Sequence, residues 1–259
     1  MLRAIGVSLS RRGRTILDQV SLQARAGELV VVEGERGAGK STLLEIAAAL
    51  RRPDQGEVWI ADRDLTGLQR ASLPYVRRNV GYAGAAVPLL PRQTVAENLA
   101  LALAARGHPP ALAASVGARA LARLGLAPMG GRAVGALSEG ERRLTALARA
   151  LAGAPSLLVI DDPSACLAAG DVEMVLSALL AAGQAGAAVL CASGDAAFAG
   201  AAARHGARRL GLAGGRVLAG ALPVAVPAAH RQVYLVDTLR PASDQVGRSS
   251  AGARPVIAR

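Results

Sequence analysis

The chain has 259 residues, 52% of them hydrophobic, enough for one large α/β domain or two small ones. Aromatic residues make up only 2%, which argues against stacking of nucleic-acid bases on aromatic platforms as the main chemistry. The net charge of +11 suits an anionic partner such as a nucleotide, a nucleic acid or an acidic membrane surface, although the arginines are dispersed rather than clustered.

In chain order, Gly27 to Gly34 reads as a short buried strand and Thr42 to Leu50 as a helix. Glu57 to Ala61 is a second strand. From about Val95 to Leu151 the chain is helical and rich in Ala and Leu, with breaks at His108-Pro109-Pro110 and Pro128. Leu157 to Asp161 is a continuous apolar run ending in carboxylates, the pattern of a central parallel strand, and Ala187 to Ser193 is a further strand. Strands alternating with helices predict an α/β fold: a mostly parallel sheet flanked by helices. The helix-rich stretch at about 86–152 is expected to be an inserted subdomain of a domain spanning 1–220. Beyond it, 221–259 is rich in Pro and Arg, and Ser243 to Arg259 has the composition of a disordered basic tail.

Cys166 and Cys191 lack C-x-x-C spacing and a nearby His, so neither zinc nor a disulfide framework is expected and a reducing compartment fits. No basic segment followed by a long apolar one opens the chain, so no signal peptide is expected. No apolar run is long enough to span a membrane.

Lys40 is the only lysine, against 29 arginines. It lies in Gly34-Glu35-Arg36-Gly37-Ala38-Gly39-Lys40-Ser41-Thr42, the G-x-x-x-x-G-K-[ST] phosphate loop. A planar guanidinium does not replace a compact ammonium between phosphates, so this position resists the drift to Arg. Gly34, Gly37, Gly39, Lys40, Ser41 and Thr42 are therefore the expected nucleotide-binding set, with backbone N–H groups and a helix N-terminus facing the phosphates. Ser41 and Asp161 are the expected Mg²⁺ ligands.

Leu137-Ser138-Glu139-Gly140-Glu141 precedes a helix ending at Leu151, and Leu158-Val159-Ile160-Asp161-Asp162-Pro163 follows. In this order after a phosphate loop, the chain resembles the ATP-binding subunits of ABC systems over roughly residues 1–218. Thr94-Val95-Ala96-Glu97-Asn98-Leu99 and Pro53-Asp54-Gln55-Gly56-Glu57 match further family segments. Leu73 to Gly81 followed by Leu89-Leu90 is most similar to the cell-division ATPase FtsE, with the lipoprotein-release and macrolide-export branches close behind. The resemblance implies ATP and Mg²⁺ as ligands and a homo- or heterodimer in which Ser138 and the Gly140 N–H reach the partner's γ-phosphate. It also implies an integral membrane subunit as partner, a location on the inner face of the plasma membrane, and no specific nucleic acid.

The sequence departs from that pattern at hydrolysis-linked positions. Asp162 stands where the family has its catalytic Glu, Ala85 where it has a Gln, Ala168 an Asp and Gly194 a His. Arg11 or Arg12 falls where an aromatic residue would stack on adenine. Weak hydrolysis is the resulting expectation, with Asp162 the sole candidate base. A non-hydrolysing ATP clamp and a silent half-site beside a competent ABC partner both remain open.

Overall fold

The computed structural model describes residues 1–218; the tail expected over 221–259 lies outside the described residues. The elements, in order, are β1 (Leu2–Arg11), β2 (Arg14–Ala24), β3 (Leu29–Glu33), α1 (Lys40–Ala47), β4 (Gln55–Ile60), β5 (Arg63–Asp64), α2 (Leu73–Arg77) and β6 (Val80–Ala83). They continue with α3 (Val95–Ala105), α4 (Pro110–Arg123), α5 (Glu139–Leu151), β7 (Leu157–Asp161), α6 (Ala169–Gln184), β8 (Ala188–Ser193), α7 (Ala196–Arg204), β9 (Arg208–Ala213) and β10 (Arg216–Val217).

Two sheets form. The first is antiparallel, with strand order β2-β1-β4-β5; the second runs β10-β9-β3-β8-β7-β6 and is parallel except for the β9–β10 hairpin. In the second sheet β3, β6, β7 and β8 are buried on both faces, which is why they read as largely apolar runs. Val30, Val32, Val159 and Leu190 face one core, shared with α1 and the antiparallel sheet. Leu29, Val31, Leu158 and Ile160 face the other, which is filled by α3 to α7 and includes Phe198, the only phenylalanine. The parallel sheet with flanking helices is as expected; the antiparallel sheet is an addition to it.

The helical stretch between β6 and β7 is built from sharply bounded pieces. Thr94 caps α3 in a capping box with Glu97, and Ser138 caps α5 in another with Glu141. Asn98 is buried and fully engaged: its amide accepts from Leu90 N–H at 2.8 Å and donates to the carbonyls of Leu90 and Thr94. That fixes the segment before α3. Gly81 lets α5 lie against β6, since a Cβ there would stand 2.2 Å from the Ala150 carbonyl oxygen.

Candidate functional site: the carboxyl edge of the parallel sheet

Strand order decides which residues meet. β8 lies between β3 and β7, with Glu33 opposite Ser193 and Asp161 opposite Ala192. The loop after β3, the carboxylates ending β7 and the turn after β8 therefore share one edge of the sheet. Ligands bind at such carboxyl edges in open α/β sheets.

The loop Gly34–Gly39 joins β3 to α1, which begins at Lys40, two residues earlier than the sequence predicts. Gly39 is the N-cap residue of α1 in the left-handed conformation, with φ 101°. Gly34 has φ 156°, and a Cβ there would stand 2.1 Å from the carbonyl oxygen of Leu212. The loop is thus wedged against β9. Gly34→Ala is expected to cost at least about 2 kcal/mol and to lower the melting temperature by several degrees, because a backbone oxygen cannot yield as a flexible side chain can. A melt within experimental error of the parent would refute this.

Lys40 folds back across the loop: Nζ donates to the carbonyl oxygens of Gly34 at 2.6 Å and Glu35 at 3.0 Å. This holds the ammonium inside the curve of the loop, where the phosphate-loop motif needs it. Ser41 follows in the first turn of α1, and its hydroxyl lies beside the Asp161 carboxylate, close enough to stabilise its charged form. Burial raises the Asp161 pKa, and the neighbouring Asp162 charge adds to the rise; the Ser41 hydroxyl and the charges of Arg143 and Lys40 oppose it. A partly buried carboxylate held up in this way, with a hydroxyl beside it, fits a divalent cation as the missing counter-charge. Thr42 lies one residue further along the same helix.

Asp162 has left-handed backbone geometry, with φ 49°. Its N–H donates to Ala192 O at 2.8 Å, and its carboxylate accepts from the backbone N–H of Gly194 at 3.2 Å. Gly194 presents no side chain, and a Cβ placed on it would meet nothing within 4 Å. Asp195 is committed elsewhere, capping α7 through Ala197 N–H at 2.9 Å. Ala168 is the N-cap of α6 with no side-chain bond, and Ala85 lies in the turn closed by Val87 N–H on Gly84 O at 3.3 Å. The four positions where hydrolysis-linked side chains were expected therefore offer one carboxylate, already bonded to a backbone amide.

Ser138 and Gly140 stand apart from the loop, at the start of α5. A Cβ on Gly140 would sit 2.9 Å from the carbonyl oxygen of Cys166, so this glycine seats the helix on the turn that follows β7. The Ser138 hydroxyl accepts from Glu141 N–H at 3.3 Å. Glu139, the unusual carboxylate of the segment, is neutralised by Arg142 at 2.6 Å, and Arg142 also donates to Leu137 O. Arg143, one residue on, donates to Asp161 O at 3.2 Å and so ties α5 to the end of β7. As a member of a charged pair after Gly140, Arg143 gave no sequence signal of that contact.

A phosphate loop at the carboxyl edge of a parallel sheet, with Ser41 and Asp161 in contact, defines a nucleotide-binding cassette. The family model described as ABC transporter matches residues 17–165, and the chain belongs to that family. It is an ATP-binding subunit of ABC type. It is 40% identical over 167 residues to the lipoprotein-releasing system ATP-binding protein LolD of Roseobacter denitrificans, covering 64% of this chain and 74% of that protein. It is 36% identical over 175 residues to the methionine import ATP-binding protein MetN of Mesorhizobium japonicum, covering 67% of this chain but 48% of that longer protein. Among solved structures, the dimeric bacterial ABC transporter cassette MJ0796 superposes with a TM-score of 0.78 at 27% identity, over 84% of this chain and 96% of that one. The same cassette in a dimeric post-hydrolysis state bound to ADP and Pi gives a TM-score of 0.77 at 27% identity over the same shares. The lipoprotein-release branch fits these relatives. Among the described residues no helix is long and apolar enough to cross a membrane.

Proposed function

We propose that this chain is an ATP-gated clamp of a membrane complex, binding ATP with Mg²⁺ but turning it over weakly. Gly34, Gly37 and Gly39 supply the curve of backbone N–H groups, Lys40 the charge between the outer phosphates, and Ser41 and Asp161 the metal ligands, with Thr42 closing the set. Mg²⁺ would neutralise phosphate charge. Ser138 and the Gly140 N–H would close on the nucleotide of a second cassette, so that ATP draws two cassettes together. The movement passes to an integral membrane subunit of the lipoprotein-release or cell-division kind, with the chain lying on the inner face of the membrane. The domain would span 1–220, with 86–152 as its inserted helical part.

The observation that carries weak turnover is the Asp162 carboxylate bonded to Gly194 N–H, with no side chain at Gly194 to help hold a water. A base must lie within hydrogen-bond reach of the water it activates. The intact segment Leu137–Gly140 favours one variant of this reading, in which the chain completes the site of a competent ABC partner while its own site stays nearly silent.

Light scattering tests the clamp. The full chain with Mg²⁺ is expected to shift from monomer to dimer with ATP and not with ADP, and to co-purify with the membrane subunit encoded beside it. A shift only in the presence of a second, hydrolytically complete cassette would select the half-site variant. A chain that stays monomeric with ATP under both conditions would end the proposal.

A further inference from the structure

No Asp or Glu occurs from Leu65 to Ala96, a stretch that holds Arg70, Arg77, Arg78 and Arg92. The first three of these arginines gather at one corner of the fold. The turn Arg70–Ser72 runs into α2, whose Leu73 and Val76 are buried and so direct Tyr75 outward. Tyr75 is 59% exposed, more than any other large hydrophobic side chain among the described residues. The Arg78 guanidinium lies over its ring, 5.0 Å from the centroid. Arg77 donates twice to Ala49 O, at 2.8 and 3.0 Å, which fastens the corner to the end of α1. Arg52 donates to Leu68 O, two residues before Arg70. Among the described residues none of Arg52, Arg70, Arg77 and Arg78 has an ion-pair partner. The carboxylates of the flanking segments are taken up by backbone amides: Asp54 accepts from Ser10 N–H at 2.7 Å and Asp64 from Thr66 N–H at 2.8 Å.

Unpaired like charges raise the local positive potential, and an anionic surface lowers it. A guanidinium laid on an aromatic ring also presents its fork of N–H donors in a set direction, which suits phosphate oxygens. We propose that this corner rests on anionic lipid headgroups, with Arg70 and Arg78 on the phosphates and Tyr75 at the headgroup level. There a tyrosine finds an apolar neighbour for its ring and a wet one for its hydroxyl. The inference rests on the place at the membrane face given to the chain above and names the surface that touches lipid. The corner lies at the C-terminal end of α1 and just before β6, at the far end of both elements from the phosphate loop and the carboxyl edge. Lipid contact there leaves the nucleotide site and Ser138 free for a second cassette. Nucleic acid fits less well, because one exposed ring offers no run of stacking platforms.

Flotation of the full chain with vesicles tests this. Phosphatidylcholine vesicles containing about a third phosphatidylglycerol are expected to carry the protein, and pure phosphatidylcholine vesicles are not. Arg70→Gln combined with Arg78→Gln should weaken binding about 30-fold, roughly fivefold for each charge. Tyr75→Ser should weaken it by a further step that added salt does not reproduce. All three positions are exposed, and unchanged ATP binding will show that the variants are folded. Arg119→Gln combined with Arg123→Gln, at two exposed positions of α4, is the matched control and should lose far less. Equal losses in the two double variants would mean adsorption through net charge alone and would overturn the inference, as would binding that ignores both. Retention on duplex DNA that depends on Arg70 and Arg78, with no vesicle binding, would assign the corner to nucleic acid instead. If vesicles do not bind while the membrane subunit still co-purifies, the lipid surface is wrong and the clamp stands. Vesicle binding lost in the Arg70 and Arg78 variant, by a chain that stays monomeric with ATP, would support this surface and end the clamp.

Discussion

Lys40→Ala is expected to weaken ATP binding about 100-fold, with the fold intact. The ammonium is held by two backbone carbonyls at 2.6 and 3.0 Å and projects from the first residue of α1 into the curve of the loop. Charge-assisted hydrogen bonds to phosphate contribute about 1.5–3 kcal/mol each, and about 3 kcal/mol corresponds to roughly a hundredfold in affinity. Lys40→Arg should rescue little, because the planar guanidinium is too large and wrongly shaped to take the place of a point charge. Fluorescent-nucleotide titration and thermal shift by ATP check this together: the variant should melt near the parent temperature but gain nothing from added nucleotide. Binding within a few-fold of the parent would mean that the loop is not the site.

The second large effect is a gain. Asp162→Glu combined with Gly194→His is expected to raise phosphate release about 100-fold over the parent chain, and each single change far less. The carboxylate at Asp162 is one methylene short and is bonded to the Gly194 amide at 3.2 Å. Lengthening it moves the base toward the phosphates, and a displacement of about 1 Å is worth roughly 10²-fold in rate. An imidazole at position 194 would orient the base and the water, and the space for it exists, since nothing lies within 4 Å of a Cβ there. Groups that act as a unit are strongly non-additive, which is why the pair should exceed the two single changes combined. The left-handed backbone at Asp162 would hold Glu at a cost of about 1 kcal/mol, so melting and ATP binding must be compared first. Release unchanged in a folded, ATP-binding double variant would place the block at Ala85 or Ala168. Steady Lys40-dependent release by the parent would show that hydrolysis was never impaired.

The parts of the fold that were legible in the sequence are those where local chemistry is strong. β3, β7 and β8 are apolar runs because both of their faces are buried. The phosphate loop shows through glycines that no other residue can replace: Gly34 against Leu212, and Gly39 against Ile16 and Leu17. The N-terminal hairpin was not legible. β1 alternates, but register shifts between Ala4 and Leu9 break the period of two, and the turn through Arg12 and Gly13 hides among arginines. β9 begins Arg208-Arg209, which argues against a strand until Glu28 and Glu33 are found pairing with them across the sheet.

The sequence by itself determined the class of this protein and its phosphate loop, and it carries the expected signature segment and the expected replacements at four hydrolysis-linked positions. Each of these is a residue type at a fixed local spacing, and spacing along a chain is all that a motif requires. Tertiary structure alone decided what those residues touch. Asp161 meets Ser41, and Asp162 meets Gly194, because β8 lies between β3 and β7, an order no local pattern encodes. Arg106 and Arg149, 43 residues apart in the numbering, became neighbours in one groove because α5 packs on β6 and α3 packs on α5.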